Sequence, residues 1–226
     1  MLSIIWNITN LCPWDCDFCV MDAGISCHRP ELNVSEKLTA IKHLKDVDCR
    51  VDLSGGEVML NRKEHLPLIS ALSAAIGKER LGISCSGAYI GKSEAAFLLE
   101  HIADIEMTMD AHPKRNFSHR PKGYHATAGK AADLFTAKGV RVGIQTVITR
   151  DHLDNPELLD ELYKWLCEHR ISEWSFADFF NKLRFVVPYI SADFPYGIEN
   201  QFPDDRRADI MLCAYFPEPA APQVVG

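Results

Sequence analysis

Val140–Thr149 (VRVGIQTVIT), Asn155–His169 (NPELLDELYKWLCEH) and Glu173–Ala177 (EWSFA) are the consecutive segments that decide the fold. The first is rich in β-branched residues and is the most strand-like run in the chain. The second carries Pro156 at its first turn, where a missing N–H costs nothing, and reads as a helix. The third is again a strand. The same alternation runs upstream. Ser3–Thr9 (SIIWNIT), Arg50–Ser54, Leu81–Cys85 and Ile105–Met109 read as strands. Helices are expected from Asn33 or Ser35 to near Lys45, over Arg62–Ile76 and Ser93–His101, and over Ala126–Lys138, ended by Gly139 as a C-terminal cap. A basic loop, His112–Gly123, precedes the last of these.

Strand–helix units spaced roughly thirty residues apart predict parallel strands with right-handed crossovers. A complete eight-unit barrel needs about 250 residues, and the chain has 226. The expectation is an α/β protein, an open, partial (β/α)6 barrel over residues 1–178. A doubly wound sheet is the competing arrangement. Residues 179–226 are expected to form a short C-terminal extension or lid, its tail from Pro217 disordered. Phe179, Phe180, Phe185, Tyr189, Phe194 and Tyr196 crowd that extension, with Lys182 and Arg184 among them. They suit either a packed lid or a stacked planar substrate with an anionic group.

Composition narrows the function. Apolar residues make up 47% of the chain, enough for a sizeable core. The formal charge of −7, with both signs mixed along the chain, argues against a nucleic-acid partner. No stretch approaches the roughly 20 apolar residues of a membrane span. Eight cysteines without a recognisable signal peptide point to a reducing, cytoplasmic compartment. There, clustered thiols bind metal or react.

Three of those cysteines stand together after the first strand. Cys12, Cys16 and Cys19 have C-x3-C-x2-C spacing within Asn10–Val20 (NLCPWDCDFCV). Such a loop can wrap three thiolates around one corner of an iron–sulfur cube. Three ligands leave one iron free to bind and activate something else. A zinc site is the competing reading, completed by Cys27 or His28, although a second paired half-site is missing.

The triad, with Phe18 before its last cysteine, resembles the radical S-adenosylmethionine (SAM) superfamily, in its molybdenum-cofactor-synthesis and peptide-modifying branch. The resemblance implies a [4Fe–4S] cluster on Cys12, Cys16 and Cys19. Its open iron would chelate SAM and cleave it reductively to a 5′-deoxyadenosyl radical. Leu53–Glu57 (LSGGE), at the end of the second strand, is similar to the family's Gly-Gly-Glu turn. By that likeness Gly55, Gly56 and Glu57 hold the SAM ammonium group, a carboxylate suiting an ammonium through a charge-assisted hydrogen bond. Thr108, in Thr108-Met-Asp110, looks like the hydroxyl that contacts SAM, and Arg120 like the arginine that pairs with its carboxylate. Phe18 would lie beside cluster and cofactor. Ser84-Cys-Ser-Gly87 departs from the Thr-Asn-Gly usual at strand three, so a structural turn fits it equally well.

Relatives in this branch often add an N-terminal peptide-recognition domain or a cysteine-rich C-terminal domain, and neither pattern is present. The expected substrate is therefore a small metabolite or nucleotide-like molecule, and the partner an electron donor such as flavodoxin or ferredoxin. A peptide-modifying enzyme, a glycyl-radical activating enzyme and a non-catalytic iron–sulfur or zinc protein are the alternatives. Cys213, in Met211–Tyr215 (MLCAY), is the candidate hydrogen-atom donor. Residues of the Met21–Pro30 loop are expected to help select the substrate.

Overall fold

The computed structural model describes residues 1–178. It contains one six-stranded sheet in which strand order in space equals order in sequence. The strands are β1 (Leu2–Thr9), β2 (Cys49–Gly55), β3 (Leu81–Cys85), β4 (Asp104–Thr108), β5 (Arg141–Ile148) and β6 (Glu173–Asp178). Every neighbouring pair is parallel. Between them run α1 (Val34–Leu44), α2 (Arg62–Ile76), α3 (Lys92–His101), α4 (Tyr124–Thr136), α5 (Arg150–Asp154) and α6 (Glu157–Glu168).

Strand order separates the two expected architectures. A doubly wound sheet reverses direction partway, which sends helices to both faces. Here each new strand adds on the same side of the last, so right-handed crossovers carry every helix to one face. The result is a partial (β/α)6 barrel. The expected extension, with its aromatic cluster, Lys182 and Arg184, lies outside the described residues.

Side-chain alternation follows from this placement. Val51, Leu53, Ile105, Met107, Val142 and Ile144 are at most 2% exposed and pack against Leu72, Leu98, Phe135 and Leu162 of the helices. The opposite face carries polar residues. Arg50 bridges Asp52 and Asp104 across three strands at 2.6 and 2.7 Å, and Ser84 approaches Glu106 at 3.4 Å. Burial pushes the Glu106 carboxyl up, and the Glu173 carboxylate adds to the effect.

Local signals explain most boundaries. Asn33 caps α1 by accepting from Glu36 N–H at 3.0 Å, while Glu36 accepts from Asn33 N–H at 2.7 Å. Gly139, with φ of 72°, ends α4 in a left-handed cap: its N–H reaches Thr136 O and the Val140 N–H reaches Phe135 O. Two differences have tertiary causes. Helix α4 starts at Tyr124 rather than Ala126 because Tyr124 and His125 are buried. Helix α5 is too short to show an apolar period; His152 secures it by accepting the Thr149 N–H on Nδ1 and donating from Nε2 to the Asp110 carbonyl at 2.7 Å.

One buried ion pair joins the first two helices. Lys37 Nζ, whose side chain is 3% exposed, meets Glu64 Oε1 at 2.9 Å. Glu64→Ala would leave that ammonium buried without a partner and is expected to cost about 2 kcal/mol in denaturant unfolding, whereas Lys37→Met should be nearly neutral.

Candidate active site

The cysteine loop leaves the C-terminal end of β1 and is held there by the turn that ends β2. Gly56 N–H donates to Thr9 O at 2.7 Å and Glu57 N–H to Leu11 O at 2.8 Å. A Cβ on Gly55, whose φ is 122°, would stand 2.3 Å from Thr9 O, and one on Gly56 2.2 Å from Leu11 O. Both glycines are thus required by the close approach of the end of β1 and of the cysteine loop that follows it, a reason that sequence alone does not supply. From the other side, Glu31 Oε1 accepts from Thr9 Oγ1 and from the Asn10 N–H, drawing residues 10–31 into a closed loop.

Glu57 is fully buried. Its Oε1 accepts the Met59 N–H at 3.0 Å, and its Oε2 accepts both the N–H and the hydroxyl of Ser86. Ser86 Oγ also accepts the indole N–H of Trp14, inside the cysteine loop, at 2.7 Å. Burial pushes the Glu57 carboxyl up, and the Ser86 and Met59 donors oppose that shift. The carboxylate therefore ties β2, β3 and the cysteine loop together through Ser86 and Trp14. The stretch after strand three is a structural strap in this respect. Trp14→Phe removes the indole donor and is expected to cost about 1 kcal/mol of unfolding free energy.

The other flank is the loop between β4 and α4. Asp110, fully buried just past β4, accepts from Arg120 Nε at 2.6 Å and from Val147 N–H at 2.8 Å. Burial alone would raise the Asp110 carboxyl, but His125 and Arg120 outweigh it and hold it below the usual range. His125 Nε2 stands 3.6 Å away, long for a hydrogen bond. The Arg120 guanidinium lies over the rings of Phe18 and Tyr124, 4.4 and 4.5 Å from their centroids. Its Nη1 donates to Cys16 Sγ at 3.4 Å. Thr108 is half-buried at the end of β4, beside Gln145 of β5.

Cys12, Cys16 and Cys19 are all half-buried and unpaired. Burial pushes the Cys12 thiol up to about 11; the Trp14 N–H opposes this, while Glu57 and the other two cysteines reinforce it. Burial likewise raises Cys16, against the pull of Arg120. Thiols placed this way resist ionising alone, and a cation among them reverses that balance. Backbone and guanidinium donors already face the sulfurs, with Ala23 N–H 3.5 Å from Cys19 Sγ. Among the described residues no three Cys, His, Asp or Glu side chains are grouped so as to hold a metal ion. Thiolates that each take a different corner of a cube need not converge on one point. By its chemistry, three half-buried thiols on one loop, the donor set suits an iron–sulfur cube.

The structure brings Cys12, Cys16, Cys19, Phe18, Gly55, Gly56, Glu57, Thr108 and Arg120 to one end of the sheet, at C-terminal strand ends or in the loops after them, where barrel enzymes place their chemistry. Cys213 lies outside the described residues. Trp14, Ser86, Asp110 and Tyr124 join this site although the sequence assigned none of them a role there; Trp14, Ser86 and Asp110 lie inside the cysteine, strand-three and Thr108-Met-Asp110 motifs, and Tyr124 lies in none.

No protein-family model matches the chain, and no curated protein matches it in sequence. Solved structures do match in shape. Streptococcus suis SuiB bound to S-adenosylmethionine superposes with a TM-score of 0.67 at 20% identity, over 84% of this chain and 48% of that one. For anSMEcpe with bound AdoMet the TM-score is 0.65 at 18% identity, over 80% and 52%. For methylornithine synthase (PylB) it is 0.63 at 14% identity, over 80% and 54%. The chain thus spans about half the length of each. These are radical SAM enzymes, and their fold is the one found here.

Proposed function

We propose that this chain, built on the radical SAM fold, is a radical SAM enzyme, with Cys12, Cys16 and Cys19 holding a [4Fe–4S] cluster and the adjoining strand ends holding SAM. The observation that carries the reading is the attachment of the cysteine loop to the Gly55–Glu57 turn, which brings both proposed sites together. When bound and reduced by one electron, cluster and SAM supply a 5′-deoxyadenosyl radical that abstracts hydrogen from the substrate.

The residues of the chain bind and orient. Backbone carbonyls of the glycine turn and the remaining lone pair of Glu57 receive the SAM ammonium. Thr108 offers its hydroxyl from β4. Arg120, with N–H groups beyond those given to Asp110 and Cys16, pairs with the SAM carboxylate. Phe18 shields the cluster side. Cys213 remains the proposed hydrogen-atom donor, and residues 179–226 the proposed lid.

The proposed substrate is a small polar metabolite or nucleotide-like molecule, supported by the polar sheet face around Ser84, Glu106 and Gln145. A peptide is the second reading, favoured by SuiB having been solved with the precursor peptide SuiA and anSMEcpe with the peptide Cp18Cys. The electron donor belongs to the flavodoxin or ferredoxin class. No helix among the described residues is long and apolar enough to cross a membrane. A cytoplasmic setting is supported by the unpaired state of every described cysteine.

Anaerobically reconstituted protein, given dithionite and SAM, is expected to release 5′-deoxyadenosine. No release from protein carrying a full cluster would reject the enzymatic reading. Glu57→Gln should bind SAM roughly ten- to a hundredfold more weakly with iron content unchanged, as loss of one charge-assisted hydrogen bond implies. Unaltered SAM affinity would confine Glu57 to its strap with Ser86.

A further inference from the structure

We propose that Arg120 raises the reduction potential of the iron–sulfur cluster, from a position that Asp110 fixes. The inference rests on the cluster reading above and gives Arg120 a task beyond pairing with SAM.

Arg120 is unusually constrained for a residue in a loop. Its side chain is 8% exposed, and that of its partner Asp110 is 0% exposed. Asp110 is itself immobilised, with one oxygen on Arg120 Nε and the other on the Val147 N–H of β5. The guanidinium lies over the rings of both Phe18, from the cysteine loop, and Tyr124, from the first turn of α4. The two loops are also joined through their backbones, Asp17 N–H donating to His119 O at 3.3 Å. With Nε directed to Asp110, Nη1 reaches Cys16 Sγ at 3.4 Å.

The consequence follows from charge. Reduction transfers one electron from a low-potential one-electron donor to [4Fe–4S]2+, giving [4Fe–4S]+; no bond forms or breaks. The added negative charge is shared with the coordinating sulfurs, and hydrogen bonds to those sulfurs are one means by which a protein sets the potential. A cation and an N–H donor at Cys16, in surroundings of low effective dielectric, stabilise the reduced state more than the oxidised one. Arg120 thereby eases electron entry. The same side chain retains donors for a carboxylate, so cluster and SAM meet on one guanidinium.

The test is the midpoint potential of the reconstituted cluster, measured without SAM so that a lost cofactor contact cannot move it. Arg120→Gln removes the charge and is expected to shift the potential at least 59 mV more negative, a tenfold change for a one-electron couple. Arg120→Lys keeps a charge but has no fork to serve Asp110 and Cys16 together, and should shift it less, in the same direction. Arg115→Gln removes a charge from the same loop, paired outward with Glu161, and should leave the potential unchanged. If Arg120→Gln takes up no iron, Arg120→Lys decides. Wild-type potential in iron-replete Arg120 variants overturns the inference. Failure of the wild-type chain to take up any cluster instead overturns the reading on which it rests.

Discussion

Cys12→Ala, Cys16→Ala and Cys19→Ala, each reconstituted anaerobically, are expected to abolish 5′-deoxyadenosine formation and to lose most of the bound iron. Each removes one of three protein ligands from a cluster that has no fourth to spare, so an iron becomes exchangeable and the cube falls apart. The other described cysteines should behave differently, for reasons the fold supplies. Cys49 and Cys85 are buried within β2 and β3, and Cys167 is exposed on α6, remote in kind from a ligand loop. The telling comparison is Cys27, half-buried in the same 10–31 loop. Cys27→Ala is expected to keep iron, sulfide and activity. A loss as severe as that of Cys12→Ala would indicate a four-cysteine set and revive the closed metal site.

Gly56→Ala should be among the most damaging single substitutions outside the cysteines. The new methyl would stand 2.2 Å from the Leu11 carbonyl oxygen, and that oxygen belongs to backbone already bonded to Glu57 N–H. No rotamer relieves the clash, so the turn and the cysteine loop must separate. Overpacking of this kind typically costs 1–3 kcal/mol, and a clash against fixed backbone belongs at the upper end, about 3 kcal/mol. The expected result is a lower unfolding midpoint and, in protein that remains folded, sharply reduced iron retention. Wild-type stability and iron content would mean that the two segments are not held together.

What could be read from the sequence was what is local. The period of Val140–Thr149 and the proline at Asn155-Pro156 mark a strand and a helix start by nearest-neighbour rules. The cysteine spacing marks a ligand loop because eight residues suffice to carry it. Most strand ends fall within a residue or two of expectation, so the face that gathers the site was legible. The partners that hold the site were not, because they are distant in sequence. Nothing near Trp14 announces a hydrogen bond to Ser86, and nothing near Arg120 announces Cys16. Glu57 looked like a cofactor ligand because its motif resembled one; its bonds to Met59 and Ser86 depend on how β2 meets β3. The glycines illustrate the same limit. Their need for space was readable, but the carbonyl groups that create it belong to the end of β1 (Thr9) and the loop after it (Leu11).

The central claim is that three thiolates on one loop carry a cube with one iron left open to SAM. It is tested most directly by metal and sulfide analysis of the anaerobically reconstituted wild-type chain, with electron paramagnetic resonance of the dithionite-reduced protein before and after SAM is added. The expected result is about four irons and four sulfides per chain and a reduced-cluster signal that changes when SAM binds. A colourless protein holding a single zinc, or a cluster signal indifferent to SAM, would contradict it.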